Sequence, residues 1–248
     1  MNKSVKSLLL LSGLALIAGC TSTKKIQRNL NSKSHSMAYL MDSKISDVKN
    51  NINVALDTIY FNSNIISDTS IVKKKKSWFI PLVVVYVWHA QLDCSQGKSM
   101  FTENIPEFLR YSMMDEVKRS GNFSIDTLNY PDYTVELSID ELKTEGPYIS
   151  SGFFYFALYA YGYSYSDVAG PAISKLDVSY RLKRGDQVVC SNSFHSQKIT
   201  RQINRKYTNL NILQQDYAAS MVEAVSYNFK NVIELITNDI NSYISNKV

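Results

Sequence analysis

The spacing of apolar residues changes several times along the chain, and these changes restrict the folds open to it. Segments 102–121 and 210–245 repeat apolar side chains about every four residues, which predicts amphipathic helices. Other segments alternate apolar and polar residues, as strands with one buried face require. The alternating segments begin at Ile52, Phe123, Tyr133 and Leu176. This order predicts an α+β fold, in which an amphipathic helix and a long C-terminal helix pack on one face of a largely antiparallel sheet.

One apolar run does not alternate. The stretch SWFIPLVVVYVW, from Ser77 to Trp88, is apolar on both faces and rich in β-branched residues. Strands buried on both faces have this composition, so the run predicts a central strand. Pro81 then marks a bulge or an early edge position, because proline lacks the N–H group that a ladder needs.

The stretch from Phe153 to Tyr165 is the most unusual in composition, since eight of its thirteen residues are aromatic. Tyrosine has an apolar ring and a polar tip, which suits both bilayer and protein interfaces. One interpretation is a projecting excursion that contacts a partner protein or the headgroup layer of a membrane. The alternative is a core strand with rings packed across strands. Under the first interpretation the contact residues are Phe153, Phe154, Tyr155, Phe156, Tyr159, Tyr161, Tyr163 and Tyr165.

A run of four lysines is the strongest cluster of charge in the chain. Lys73, Lys74, Lys75 and Lys76 directly precede Trp78 and Phe79. On a protein held at a membrane, each lysine near an anionic surface contributes about 1 kcal/mol of attraction. The run therefore predicts a headgroup contact, and its alternative is an ordinary solvated loop.

The first twenty residues have the layout of a secretory signal. Lys3 and Lys6 precede an apolar stretch of about ten residues, which is too short to span a membrane because a spanning helix needs roughly 20. The ending Ile17-Ala18-Gly19-Cys20 resembles the lipobox of bacterial lipoproteins. The resemblance implies cleavage before Cys20 and a lipid on its thiol. Thr21 in the next position implies transfer to the outer membrane.

These features predict a signal peptide at 1–19, a lipidated flexible tether at 20–51 and a single α+β domain at 52–248. Residues 21–51 are rich in Ser, Asn and Lys and offer little apolar surface to offset the entropy of ordering. Removing the signal lowers the formal charge from +5 to +3. A mildly basic protein in the cell envelope is not expected to bind nucleic acid.

Cys94 and Cys190 remain after lipidation, and both fall in predicted strands. A compartment outside the cytoplasm permits a disulfide between them, and the alternative is two small buried thiols. For catalysis the sequence offers little: it has no nucleophile elbow, zinc-protease helix or phosphate loop. His35, His89 and His195 are too scattered for a metal cluster, so we expect neither a metal nor another cofactor.

The element order and the lipidation resemble small periplasmic lipoproteins that assist envelope machines, of the lipopolysaccharide-assembly type or the auxiliary type of lipid-transport ABC systems. The resemblance implies a lipid-anchored, non-catalytic binding or accessory module for an envelope protein complex or a lipid. One alternative is a carrier that holds a lipid or glycan between the sheet and the long helix. A less favoured alternative is a surface hydrolase that uses His89 or His195. The identity of any small ligand stays open.

Overall fold

The computed structural model describes residues 23–39, 52–62, 66, 70–80, 84–125, 131–157, 159–206 and 209–247. The helices are α1 (Thr23–Leu30), α2 (Ile105–Ser120) and α3 (Leu210–Ser245). The strands are β1 (Asn53–Phe61), β2 (Ser70–Ile80), β3 (Val84–Ser95), β4 (Ser124–Ile125), β5 (Tyr133–Ala157), β6 (Ala160–Ala169), β7 (Ile173–Arg184), β8 (Gln187–Ile199) and β9 (Ile203–Lys206). Within the described residues these nine strands form one sheet, which confirms the predicted α+β fold.

Strand β5 is 25 residues long and holds the two halves of the sheet together. Its first half pairs in parallel with β1 and antiparallel with β7. Its second half, from Glu145 onward, pairs antiparallel with β3 and β6. The outer neighbours are β4 beside β1, β8 beside β7, β2 beside β3, and β9 beside β6. All pairs except β1–β4 and β1–β5 are antiparallel, as the alternating patterns predicted.

Helices α2 and α3 cover one face of the first half of this sheet. Helix α3 packs on β7 and β8, while α2 packs on α3 and β1. Asn104 caps α2 by accepting a hydrogen bond from the N–H of Glu107, and two basic residues lie in its last turn, where the helix dipole favours them. The buried side chains of α3 include Leu213, Tyr217, Met221, Val225, Phe229, Val232, Ile236 and Ile240.

Buried hydrogen bonds fix the position of α3 on the sheet. Asn228 of α3 donates to Ser174 Oγ at 3.0 Å and accepts from Ser196 Oγ at 2.9 Å. Ser174 Oγ also accepts from Thr144 Oγ1 at 2.9 Å. All four side chains are buried, so any shift of the helix along the strands would leave polar atoms without partners.

The flexible tether predicted for residues 20–51 is wrong for residues 23–39. Ile26 and Leu30 of α1 are fully buried, and Asn29 donates a hydrogen bond to Gln214 of α3. His35, assigned to the tether, forms an isolated bridge with Phe101. The mostly polar composition of residues 21–51 led to the tether prediction, although Ile26 and Leu30 are spaced to lie on one face of a helix and reach the core. Residues 40–51 of the predicted tether lie outside the described residues.

The central strand predicted for Ser77–Trp88 is also wrong. The run is divided between two antiparallel strands, β2 and β3, and β2 lies at the edge of the sheet with β3 as its strand partner. Trp78 and Phe79 are 53% and 40% exposed, so burial in a core does not explain why both faces are apolar. Pro81, which was assigned to a bulge or an edge position, lies outside the described residues.

Replacing Ile26 with alanine tests whether α1 belongs to the folded body. We expect a loss of about 3 kcal/mol in the free energy of unfolding, because the change removes fully buried methyl groups. Lys25→Ala, on the exposed side of the same helix, should change it by less than about 0.5 kcal/mol. Urea unfolding followed by circular dichroism measures both, and equal effects from the two variants would restore the tether interpretation.

Candidate functional site

Four strand segments extend together beyond the part of the sheet that the helices cover. We call this extension the sheet arm. It consists of residues 77–80 of β2, 84–88 of β3, 152–157 of β5 and 160–165 of β6, joined in the order β2-β3-β5-β6. Six residue pairs join β5 to β6 between Gly152 and Ala157, so the arm is about 20 Å long.

The arm carries no formal charge. Neither 77–88 nor 146–166 contains Asp, Glu, Lys or Arg. On the face that continues the core, cover by the helices ends near Ser150: Tyr148 and Ser150 are buried, Phe154 is half-buried and Phe156 is exposed. Tyr161 and Tyr163, farther along the same face, are 72% and 61% exposed. A surface of this length and composition is unusual on a soluble domain, so the arm is the candidate interaction surface.

Aromatic rings pack across the strands and stiffen the arm. The Trp88 ring lies over Gly152, where an added Cβ would come within 2.3 Å of it, and the Tyr155 ring covers Gly162 in the same way. Glycine is therefore required at both positions, because the ring takes the place of a side chain. Stacked pairs add to this packing, with ring centroids 5.7 Å apart for Tyr86 and Trp88 and 6.4 Å apart for Phe153 and Tyr155.

Polarity changes along the arm and does not differ between its faces. On the outer face, opposite the helices, β2 presents Lys74, Lys76, Trp78 and Ile80 in order toward the tip, since alternate residues share a face. Along β3 the corresponding order is Gln91, His89, Val87 and Val85. The inner face ends in Phe79 and Phe156, which are both exposed. Both faces therefore become apolar toward the tip.

Exposed basic residues lie at the base of the arm and on α1, which contacts Ser95 at the end of β3 away from the arm. Lys73 forms an exposed ion pair with Asp93 at 3.2 Å, and the side chains of Lys74, Lys75 and Lys76 are exposed. Helix α1, which contacts β2, adds three further exposed basic side chains. These are Lys24, Lys25 and Arg28. Since β2 is a strand at this position, the solvated-loop alternative for the lysine run is wrong.

A buried polar cluster joins the base of the arm to the body. Trp88 Nε1 donates to Ser150 Oγ at 3.4 Å, and Gln214 of α3 donates to Tyr148 Oη at 3.2 Å. Asp167 of β6 lies opposite Ser150 in the sheet, within hydrogen-bond reach of Ser150 and Tyr148. Burial raises the pKa of the Asp167 carboxyl, and hydrogen bonds from Ser150 and Tyr148 oppose that shift. Burial likewise raises the pKa of Tyr148.

The raised pKa of Asp167 predicts a pH dependence of stability. The Asp167 carboxyl binds its proton more tightly in the folded state than in the unfolded state, where its pKa is about 3.8. The resulting contribution to stability is complete below that value and is lost as pH rises through the pKa of the folded state, by about 1.4 kcal/mol for each pH unit between the two pKa values. Asp167→Asn should remove this dependence.

Urea unfolding at a series of pH values measures the effect. The difference in unfolding free energy between the native protein and Asp167→Asn should change in favour of the variant as pH rises. Asp186→Asn, in the exposed turn between β7 and β8, is the matched control, because it removes a carboxylate that is not buried and should not reproduce the effect of Asp167→Asn. If the difference in unfolding free energy between the native protein and Asp167→Asn did not change with pH, the raised pKa of Asp167 would be contradicted.

Cys94 and Cys190 are not joined by a disulfide in the structure, so the disulfide alternative is not formed. Cys94 is buried on β3 beside Gly146, in the second half of the sheet. Cys190 lies on β8 opposite Leu182, which is level with Val135 in the first half. The two residues therefore lie beside opposite halves of β5, whereas a disulfide needs Cα atoms within about 7 Å.

The histidines do not gather into a site. His195 pairs with Asp177 on the exposed outer face of the sheet, and His89 lies at the base of the arm. Among the hydrogen bonds of the described residues, no serine or cysteine contacts His195. Nor does this part of the chain hold a group of three metal-ligating side chains. A cleft of about 350 Å³ on the outer face is lined by polar residues, including Glu136, Ser138, Asp140 and Arg181.

The sequence predicted half of this surface. The residues from Phe153 to Tyr165 form one hairpin of the arm, with Tyr159 almost fully exposed at its turn. The other hairpin was missed. Its contributors are Trp78, Phe79, Ile80, Tyr86 and Trp88. The available signal was the absence of charge in both runs, which distinguishes an exposed aromatic surface from an ordinary half-buried strand.

Comparisons with known proteins give fold-level similarities alone. No protein-family model matches the chain, and no curated protein matches it in sequence. A solved Xanthomonas campestris protein of the family model DUF330 is 11% identical, with a TM-score of 0.42 over 87% of this chain and 100% of its own. A putative neuraminyllactose-binding hemagglutinin homolog from Helicobacter pylori is 10% identical, with a TM-score of 0.30 over 85% and 94%. Within the described residues, no helix has the length and hydropathy to cross a membrane.

Proposed function

We propose that this chain is a lipid-anchored protein of the cell envelope that acts without catalysis and binds its partner through the sheet arm. The observation that carries the proposal is the arm itself: about 20 Å of uncharged, aromatic sheet that the described residues leave exposed on both faces. A soluble protein gains nothing for its own stability by exposing such a surface, so a partner is the physical explanation for it.

The anchor in this proposal is a lipid on Cys20, and the resemblance of Ile17-Ala18-Gly19-Cys20 to the lipobox supports it. Helix α1 begins at Thr23, three residues later, so the anchor would lie within about 10 Å of the folded body. One acyl chain binds a bilayer marginally, whereas two or three hold a protein there. Thr21 supports transfer to the outer membrane. An anchored protein needs little contact area, because the anchor raises the local concentration of its partner.

The alternatives receive less support. A carrier needs a cavity between the sheet and the long helix, but Met221, Val225 and Phe229 fill that space and are fully buried. A surface hydrolase needs a nucleophile held by a histidine, and the described contacts of His195 join it to Asp177. In the polar cleft of the outer face, Glu136 already forms an ion pair with Lys183.

Mass spectrometry of the protein extracted from native membranes tests the anchor. We expect the N-terminal peptide to begin at Cys20 and to carry the mass of attached acyl chains. Cys94 and Cys190 are internal controls, since neither should carry lipid. A chain that retains residues 1–19 with an unmodified Cys20 would rule the anchor out.

Site-specific photocrosslinking in native membranes tests the contact surface. A photoreactive aromatic residue in place of Tyr161, on the arm, should form a defined adduct with a protein or lipid of the envelope. The same residue in place of Tyr111, on the exposed side of α2, is the matched control because the two tyrosines are similarly exposed. Equal adducts from both positions would contradict the assignment of the contact surface to the arm.

A further inference from the structure

We infer that the sheet arm enters the surface of an anionic phospholipid bilayer tip first, with the lysines of β2 at the level of the headgroups. This inference rests on the proposed function and specifies the partner of the arm. It commits to lipid because the arrangement of polarity along the arm and the lysines at its base match a bilayer surface.

The polarity of the arm changes along its length, which distinguishes insertion from docking onto a protein. A surface that docks flat on a protein is apolar on one face and polar on the other. Here the outer face ends in Trp78 and Ile80, the inner face ends in Phe79 and Phe156, and all four are exposed. A bilayer presents the matching gradient, because its environment changes from charged headgroups to hydrocarbon over roughly 10 Å of depth.

The order of residue types follows the same gradient. Along β2, lysines extend to position 76, aromatic residues follow, and Ile80 lies nearest the tip. On the other hairpin the tip is aromatic, with Phe156, Tyr159 and Tyr161 exposed. Tryptophan and tyrosine prefer the headgroup level, where the ring contacts apolar chains and the polar tip remains hydrated. Trp88 and Tyr165 lie at the base of the arm, level with Gly152, and Tyr163 lies in its middle, level with Phe154.

The charge around the arm is complementary to an anionic surface. Lys74 and Lys76 are exposed on the outer face at the base of the arm. Asp93, the acidic residue of β3, is paired with Lys73. Each basic residue close to an anionic bilayer strengthens binding about fivefold, so this group adds substantially to the apolar contact.

The anchor and the strand edges limit how the arm can lie. A lipid on Cys20 would attach three residues before α1, on the element that contacts β2. Along the arm, the outer edges of β2 and β6 have no strand partner among the described residues. Unpaired peptide groups are costly in hydrocarbon, so a single copy reaches the headgroup region and the outer part of the acyl chains.

The two tryptophans of the chain, Trp78 and Trp88, both lie in the arm, so intrinsic fluorescence reports on it directly. The lipidated protein is reconstituted into vesicles of phosphatidylcholine and phosphatidylglycerol with bromine on the acyl chains. Insertion should shift the emission to shorter wavelength and quench it relative to unbrominated vesicles. Emission that stays unquenched while the protein floats with the vesicles would overturn the inference and leave the anchor intact.

Two sets of variants establish which residues are responsible. Ile80→Asp places a charge at the tip and should lower the ratio of inserted to free arm about tenfold. Val188→Asp, at an exposed apolar position of β8 outside the arm, is the matched control and should keep the quenching. Joint replacement of Lys74 and Lys76 by glutamate should reduce quenching in vesicles with phosphatidylglycerol and have little effect in pure phosphatidylcholine.

The remaining outcomes separate lipid from protein and the arm from the anchor. Tryptophans shielded from iodide in native membranes but unquenched by brominated lipid would show a protein partner and overturn the inference. Quenching that persists in protein whose Cys20 carries no lipid would support insertion of the arm independently of the proposed anchor, and quenching lost without the lipid would overturn insertion by the arm itself. Loss of quenching in Ile80→Asp and Val188→Asp alike would overturn the assignment of the effect to the tip.

Discussion

Backbone pairing along both edges of β5 is the interaction on which the rest of the structure depends. One edge pairs with β1 and then with β3, and the other pairs with β7 and then with β6. The strand continues through Gly146 and Pro147, where residues of this kind commonly end strands. Because both edges stay paired, a covered body and an exposed arm form one continuous sheet.

This continuity explains how an uncovered aromatic surface can be ordered. A lone two-stranded hairpin is marginally stable in water, but four paired strands that extend a packed sheet share its rigidity. The cluster of Trp88, Ser150, Tyr148 and Gln214 adds hydrogen bonds between the base of the arm and α3. The body thus holds in position a surface that would be a hazard for aggregation if it were mobile.

The sequence predicted those parts of the fold that depend on local periodicity. The apolar spacing of 210–245 coincides with α3, and the alternation from Tyr133 and from Leu176 coincides with β5 and β7. The prediction failed where burial and exposure produce the same pattern. The run Ser77–Trp88 is apolar on both faces because it contributes to the exposed sheet arm. A central strand buried on both faces would have the same apolar pattern, so periodicity does not distinguish the two. Helix α1 was missed because Ile26 and Leu30 are isolated in a polar segment, and the helix is held by distant residues such as Gln214 of α3, which Asn29 contacts.

The sequence by itself determined the succession of strands and helices, the aromatic and uncharged character of Phe153–Tyr165, and the resemblance of its first twenty residues to a lipoprotein signal, because each of these is a property of neighbouring residues. The tertiary structure alone decided that two uncharged hairpins lie side by side in one arm and that Cys94 and Cys190 lie apart. It also decided that the lysines of β2 lie exposed at the base of the arm. These features arise from strand pairing and packing between segments far apart in the chain, and such contacts leave no periodic signal in either segment.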